Sequence, residues 1–187
     1  MLSRTALFSL LLAFSLPVFS QAPGKGLVIV LIGPPGGGKT TQTEFLKKKY
    51  KIPALAGDEI RSKAGGSTEK LNSLLREQVL HADSQKGFVI DGYPATRAEA
   101  DYLGKLVVEA KLPSPIIIQL DVPDDEVRRR MKGKAVPAEL EAKLVAYHKE
   151  IELARSYYPN LDIWTIIGTK TPKEVFETIV SLIQDRE

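Results

Sequence analysis

The chain has 187 residues, which is enough for one domain with a complete hydrophobic core. Its formal net charge is +3, and no Lys/Arg block is dense enough to indicate a nucleic-acid partner. The chain contains no cysteine, so disulfides and thiolate metal sites are excluded, whereas either redox compartment is compatible with the composition.

The first 22 residues have the pattern of a secretory signal peptide. Arg4 supplies a short positive region, residues 6–19 are almost wholly apolar, and Ser20-Gln21-Ala22 offers the small residues that a signal peptidase reads. The apolar run is short for a membrane-spanning helix. We therefore expect cleavage after Ala22 and export to the periplasm or the outside, with no stable membrane anchor. An uncleaved anchor and a misassigned start codon, which would leave the protein in the cytoplasm, are the alternatives.

An apolar, β-branched run at residues 27–32 ends in a loop of glycines and prolines, and a polar helix-forming segment follows. The spacing Gly33-x4-Gly38-Lys39-Thr40 is that of a P-loop. Glycines allow consecutive backbone N–H groups to point inward, and the helix N-terminus adds its free N–H groups and its dipole. The result is a nest for phosphate, to which Lys39 adds a mobile cation. The alternative is an ordinary Gly/Pro loop between a strand and a helix.

Strand and helix patterns alternate along the chain. Strands are predicted at residues 27–32, 52–56, 88–90, 116–122 and 161–167. Helices are predicted at residues 39–50, from an N-cap at Asp58, at 67–85, 97–111, 123–134 and 138–157, and from Thr171-Pro172 onward. The alternation predicts a single α/β domain over residues 23–187, with a doubly wound five-stranded parallel sheet of P-loop NTPase type and helices on both faces. Ligands should bind at the carboxyl ends of the strands, where the P-loop, Asp91 and Gly168 lie.

Some side chains are predicted to be structural. Phe45 and Leu46 should face inward from the first helix, and Trp164 should lie in the core. His81 and His148 lie within predicted helices without a cluster of partners, so we expect no catalytic role for them.

Six motifs, in one order along the chain, resemble those of adenylate kinases and related nucleoside monophosphate kinases. They are GPPGGGKTTQ at 33–42, GDEIR at 57–61, GFVIDGYPATRAEA at 87–100, LDVPDDEVRRRMKGK at 120–134, KLVAYHKEIELARSYY at 143–158 and GTKTPKEV at 168–175. The resemblance covers essentially all of residues 23–187. It implies a kinase that uses Mg²⁺ and transfers the γ-phosphoryl group of ATP to a nucleoside monophosphate, with AMP as the first acceptor. We expect a monomer that binds no nucleic acid.

The resemblance assigns residues to the ATP side of the site. The predicted ATP-binding residues are Gly33, Gly36, Gly37, Gly38, Lys39, Thr40, Thr41, Arg130, Lys134 and Lys170. Lys39 and Arg130 should contact the phosphates and are predicted to be catalytic together with Asp91. Thr41, by the family pattern, and Asp91, through water, would hold the Mg²⁺. Thr40 is the rival for the hydroxyl ligand, and a turn cap is the alternative role for Asp91.

The predicted acceptor side differs from the family pattern. Its predicted residues are Asp58, Arg61, Gly92, Tyr93, Arg97, Glu99 and Lys143. Arg61 is the predicted clamp on the acceptor phosphate, with a surface helix arginine as the alternative. Ala95 replaces a family arginine, Glu99 replaces a glutamine, and Ala56 stands where threonine is frequent. Arg97 is a possible substitute for the lost arginine, with a solvent-exposed position at the start of a helix as the alternative.

Two parts of the family pattern are shortened here: the acceptor-binding segment at residues 57–85 and the lid at residues 133–138. Lys134 and Lys143 replace family arginines, and a lysine is a point charge and not a bidentate fork. Arg128 and Arg129 should form a solvated face. These departures leave two other functions open. One is a P-loop kinase with a different nucleotide or small-molecule acceptor, and the other is a non-catalytic nucleotide-binding protein.

Overall fold

Five short apolar runs, rich in Ile, Val and Leu, form the strands of one parallel sheet. The computed structural model describes residues 26–157 and 163–185, so the predicted signal peptide lies outside the described residues. The strands are β1 (Leu27–Ile32), β2 (Ala54–Ala56), β3 (Gly87–Asp91), β4 (Ile116–Asp121) and β5 (Ile163–Ile167). Their order is β2-β3-β1-β4-β5, and every neighbouring pair is parallel. The P-loop therefore follows the central strand, with β3 and β4 ending on either side of it.

Helices connect the strands, as parallel pairing requires. They are α1 (Lys39–Tyr50), α2 (Gly57–Ala64), α3 (Thr68–Leu80), α4 (Arg97–Glu109), α5 (Asp124–Met131), α6 (Pro137–Tyr157) and α7 (Pro172–Gln184). Within residues 26–157 and 163–185, none of these helices combines the length and the apolar character needed to cross a membrane.

The two faces of the sheet are both covered, which confirms the predicted doubly wound α/β architecture. Alternate residues of β1 point to opposite faces. Val30 packs in one core cluster with Leu75 of α3 and Leu103 of α4. Leu31 packs in a second cluster with helices α1 and α7 on the opposite face. Burial on both faces explains why β1 is apolar throughout, without the alternation of a half-exposed strand.

A third, smaller cluster packs α5 against α6. It contains Val127 of α5 and Leu140 and Leu144 of α6, together with Val122 from the end of β4. The connection between the two helices is only residues 132–136, which agrees with the short lid expected from the sequence.

Several predicted boundaries are wrong by a few residues. Strand β2 begins at Ala54 and not at residue 52, because Pro53 has no N–H for the ladder. The helix expected to reach Gln85 ends at Leu80, since His81 has extended backbone angles, and a 3₁₀ turn (Ala82–Lys86) follows. Helices α4 and α5 end two and three residues earlier than predicted, and the ends of β3 and β4 differ by one residue.

Three side-chain predictions are also wrong. Asp58 is not the N-cap of α2: Ala56 holds that position without a side-chain cap, and Asp58 lies in the first turn. Phe45 is 37% exposed and meets Phe176 edge-on, whereas Leu46 is fully buried. Successive helix residues point about 100° apart, so a narrow apolar stripe buries only one of the two. His81 lies between α3 and the 3₁₀ turn and is not within a helix.

Candidate active site

The loop between β1 and α1 presents backbone N–H groups at a helix N-terminus. Gly38 is the N-cap of α1 and has a φ of +98°, a conformation that favours glycine. No side chain caps the helix, so its first N–H groups have no intrahelical or capping partner. The Gly37 N–H donates to the Pro34 carbonyl at 3.0 Å and closes the turn before them. This is the arrangement that binds phosphate groups, as the sequence predicts.

Lys39 lies over this loop. Its Nζ donates to the carbonyl oxygens of Gly33 at 2.9 Å and Pro34 at 3.2 Å. The ammonium group is therefore held at the mouth of the loop, next to the N–H groups that would face a phosphate. It needs no rearrangement of the helix to reach an anion bound there.

Asp91 ends β3 beside the P-loop. Burial raises the pKa of Asp91, and the nearby Lys39 ammonium lowers it in part. Interactions with the Thr40 hydroxyl and the Gly92 backbone N–H favour the ionised form of the Asp91 carboxyl group and also lower its pKa. Its Oδ1 is buried and has no hydrogen-bond partner among the described residues. An orphaned buried carboxylate oxygen fits a role in holding a water ligand of Mg²⁺, because buried acceptors otherwise find a donor.

The described residues contain no group of three or more His, Cys, Asp or Glu side chains that could hold a metal ion alone. A site of this kind fits Mg²⁺ only if substrate phosphates and water supply most of the ligands, as is usual for this ion. Of the two candidate hydroxyls, Thr40 is the one that contacts Asp91. Thr41 instead lines a cavity on the other side of the loop.

That first cavity, which we call the donor cavity, has a volume of about 360 Å³ and lies between the P-loop and the turn after β5. It brings together predicted ATP-binding residues from three parts of the chain: Gly37, Gly38, Thr41, Arg130 and Lys170. Gly33 and Lys39 instead face the second cavity described below.

Arg130 links the walls of the donor cavity. Its NH2 donates to the Gly168 carbonyl at 2.8 Å, and its NH1 lies 3.4 Å from the Gly36 carbonyl. Its Nε donates to Glu126 Oε1 at 2.7 Å, within the same helix. The guanidinium is therefore fixed between the P-loop and the β5–α7 turn, where it can meet donor phosphates.

Glu126, which the sequence analysis did not identify, anchors Arg130. It also accepts two hydrogen bonds from Arg129, at 2.6 and 2.7 Å. The Arg129 and Arg130 guanidiniums together lower the pKa of Glu126 to about 2. The i, i+4 spacing of Glu126 and Arg130 on a helix is a signal that could have found this pair. Arg129, at 73% side-chain exposure, lies on a solvated face as expected.

A second cavity of about 480 Å³, the acceptor cavity, opens on the other side of Lys39. Five of the predicted acceptor residues line it: Asp58, Arg61, Gly92, Tyr93 and Lys143. Tyr93 is almost wholly buried, and its hydroxyl donates to the Glu99 carbonyl at 3.1 Å. Lys39 thus borders the cavity in which the sequence predicts the acceptor.

Arg61 is held by three acceptor-side groups and is not a free surface arginine. Its NH1 donates to Asp58 Oδ1 at 2.9 Å and to the Gly92 carbonyl at 3.2 Å. Its NH2 donates to Glu99 Oε2 at 3.0 Å. The same Glu99 oxygen accepts the Ala95 N–H at 2.7 Å, and the Glu99 side chain is only 13% exposed. Glu99 therefore ties α2 to the turn before α4, in addition to any contact with substrate.

Glu150 on α6 also lines the acceptor cavity, and sequence reasoning missed it. Burial raises the pKa of Glu150; the Arg61 and Lys39 cations oppose this effect, and the Asp58 and Glu99 carboxylates add to it. No hydrogen bond or ion pair joins it to any described residue. Nothing local in the sequence separates Glu150 from the exposed Glu152 two residues later, so only the three-dimensional packing identifies it.

Six predicted site residues line neither cavity: Gly36, Thr40, Asp91, Arg97, Glu99 and Lys134. The Arg97 Nε donates to Asp101 at 3.1 Å, one turn further along α4. Lys134 lies in the exposed connection between α5 and α6. Gly36 is in the P-loop, and its α-carbon faces Met131 of α5 so closely that a Cβ would meet the sulfur at 2.8 Å. The Arg97 side chain is 60% exposed, which agrees with a solvent-exposed position at the start of a helix.

Comparison with known proteins agrees with this geometry. A family model described as an AAA domain matches residues 32–140. The adenylate kinase of Leptospira biflexa is 30% identical over 127 residues, which cover 58% of this chain and 68% of the relative. The adenylate kinase of Methanococcoides burtonii is 32% identical over 127 residues, covering 58% and 59% of the two chains. That of Pseudarthrobacter chlorophenolicus is 27% identical over 184 residues, covering 83% and 96%.

The family model spans more than half of the chain, and the match to the first relative spans more than two thirds of that relative. A P-loop and an aspartate that holds Mg²⁺ are parts that P-loop phosphotransferases use. The chain therefore belongs to the P-loop kinases of the adenylate kinase and nucleoside monophosphate kinase family, of which it is a divergent member.

Proposed function

We propose that the protein transfers the γ-phosphoryl group of ATP to a nucleoside monophosphate, with AMP as the first acceptor and two ADP as products. The observation that carries this proposal is the place of Lys39. Its ammonium lies at the mouth of the P-loop and lines the acceptor cavity, while Gly37 and Gly38 of the same loop line the donor cavity. A triphosphate in the loop and an acceptor in the second cavity would meet at this cation. Adenylate kinase relatives support the assignment.

The donor side supplies positive charge at fixed positions. The P-loop N–H groups and Lys39 would hold the β- and γ-phosphates, and Arg130 and Lys170 would reach them across the donor cavity. Thr40 and Asp91 would hold Mg²⁺, Asp91 through water. When bound, that ion neutralises charge on the phosphates. The protein's own contribution is placement: phosphoryl transfer demands alignment and charge stabilisation more than covalent chemistry.

The acceptor side needs no general base if the attacking group is a phosphate, because a monophosphate is already ionised at neutral pH. Lys143 and Arg61 line the cavity and supply positive charge for that phosphate. Tyr93, which is almost wholly buried, forms part of the wall of the same cavity.

The test is a coupled assay of the full-length protein over AMP, CMP, UMP, GMP and the deoxynucleoside monophosphates, with the Lys39→Ala variant as background. We expect AMP turnover far above that background. Turnover of another acceptor without AMP would overturn the choice of AMP. ATP binding without turnover of any acceptor would instead favour a nucleotide-binding protein without kinase activity.

A second candidate is a kinase of the same build with a different acceptor. The observation in its favour is the contact of Arg61 with two carboxylates, Asp58 and Glu99. An acceptor phosphate at Arg61 would have to compete with both. A hydroxyl acceptor without a phosphate would not face that competition.

Glu99→Gln separates the two candidates. If Arg61 clamps an acceptor phosphate, the amide removes a competing anion, and the KM for AMP should fall about five- to tenfold. The Gln side-chain oxygen can still accept the Ala95 N–H, so the turn is retained. Steady-state kinetics with AMP varied at saturating ATP measure the effect. Asp101→Asn, an exposed site on the same helix, is the control. An unchanged or higher KM for AMP would show that Arg61 does not bind the acceptor phosphate.

A further inference from the structure

Glu150 is the one cavity-lining carboxylate, within the described part of the acceptor cavity, that has no hydrogen bond or ion pair. It is partly buried on α6. Asp58, the other carboxylate that lines this cavity, is paired with Arg61. A carboxylate that is partly withdrawn from water and accepts no hydrogen bond from the protein has its oxygens available to a donor on a ligand. The position of Glu150 therefore points to a donor group on the molecule that fills the cavity.

The phosphate of an acceptor cannot be that partner. Phosphate and carboxylate are both anions, and the cavity offers the phosphate three cations, Lys39, Arg61 and Lys143. When these bind the phosphate, the group that reaches Glu150 must come from another part of the acceptor and must donate a hydrogen. An ionised carboxylate accepts hydrogen bonds and donates none.

We propose that Glu150 determines the acceptor base by accepting a hydrogen bond from an exocyclic amino group, as on adenine or cytosine. This inference rests on the proposed function and names a residue for its specificity. A base with a keto oxygen in the same place turns a lone pair toward the carboxylate, which leaves both groups unpaired. Such mismatches at a buried polar contact discriminate strongly between otherwise similar ligands.

Matched nucleotide pairs test the proposal: AMP against IMP, and CMP against UMP, which differ in an amino or keto group. Dissociation constants by isothermal titration and kcat/KM values are measured for the full-length protein and for Glu150→Gln. We expect the wild type to prefer the amino member of the better-bound pair by about tenfold or more. In Glu150→Gln the preference should fall to within about threefold, because an amide can turn either its oxygen or its NH₂ toward the base.

Two further variants make the result interpretable. Glu152→Gln, exposed on the same helix, should keep the wild-type preference. Glu150→Asp keeps the charge and should retain part of the preference. It provides a second test of the role of Glu150 if the Glu150→Gln variant folds poorly. A wild type without preference, or a Glu150→Gln variant that weakens all four nucleotides equally, overturns the proposal.

The binding and kinetic readouts separate this inference from the proposed function. If the nucleotides bind with the expected dissociation constants but no turnover is measured, the kinase assignment alone is overturned. Turnover of AMP with an unaltered amino preference in Glu150→Gln would overturn the role of Glu150 alone. Failure of the wild type to bind any of the four nucleotides would overturn both.

Discussion

Replacing Lys39 with alanine is expected to lower kcat for phosphoryl transfer by about 10²- to 10³-fold, the usual effect of removing one preorganised donor from a transition-state site. The Lys39 ammonium is the only side-chain cation, among the described residues, that bonds to the P-loop carbonyls of Gly33 and Pro34. Charge that develops on the moving phosphoryl group would therefore lose its nearest counter-charge. The coupled assay at saturating ATP and AMP measures the loss.

The fold should survive this change. The two carbonyls that Lys39 contacts are only partly buried, so water can replace the ammonium. Lys48→Ala, on the solvent face of the same helix, is the matched control and should keep full activity. Circular dichroism and thermal melting of both variants should match the wild type. A Lys39→Ala enzyme that keeps more than about a tenth of wild-type kcat would contradict the role given to this residue.

The order of elements could be predicted because its signals are local. A run such as residues 27–32 is apolar at every position, and only a strand buried on both faces requires that. The glycines after it require a turn at a helix N-terminus, whatever the rest of the chain does. The errors fall where tertiary contacts compete with local preference, as at Phe45, which is 37% exposed and meets Phe176 of α7 edge-on.

The pairing of charged side chains could not be predicted in the same way. Arg61 and Glu99 are 38 residues apart in the sequence, and their contact depends on how α2 and the start of α4 pack. The sequence therefore predicts Glu99 only as an acceptor-side residue, whereas the structure places its carboxylate against Arg61 and the Ala95 N–H.

The choice between two adjacent hydroxyls shows the same limit. The family pattern favoured Thr41 as the metal-side residue, but the helix begins so that Thr40 faces Asp91. One residue of helix rotates a side chain by about 100°. Because of that rotation, Thr41 lines the donor cavity. A motif alone does not encode how β3 and α1 pack, so it does not tell which of the two adjacent hydroxyls faces Asp91.

Asp91→Asn is expected to lower activity while leaving stability at neutral pH equal or higher. Asparagine keeps the shape of the side chain and can still hydrogen-bond to Thr40 and Gly92, but it lacks the charge that would order the water ligands of Mg²⁺. Loss of such an outer-sphere partner typically reduces metal affinity or activity about 10- to 100-fold. We therefore expect a lower kcat and a higher Mg²⁺ concentration for half-maximal activity, both read from a Mg²⁺ titration of the coupled assay.

The stability change follows from the direction of the pKa shift. Burial raises the pKa of Asp91 above 3.8, so the folded state binds more protons than the unfolded state as the pH rises past that value. The free energy of unfolding therefore falls as the pH rises from 3.8 to the pKa of Asp91 in the folded state. At neutral pH it stays lower than it would be without the shift. Asparagine does not ionise and does not lose this stability, so Tm at pH 7 without Mg²⁺ should be higher than that of the wild type. At a pH below the usual pKa of an aspartate, the difference from wild type should disappear. A variant that melts earlier than the wild type yet keeps full activity would show that Asp91 is a structural turn residue and not part of the metal site.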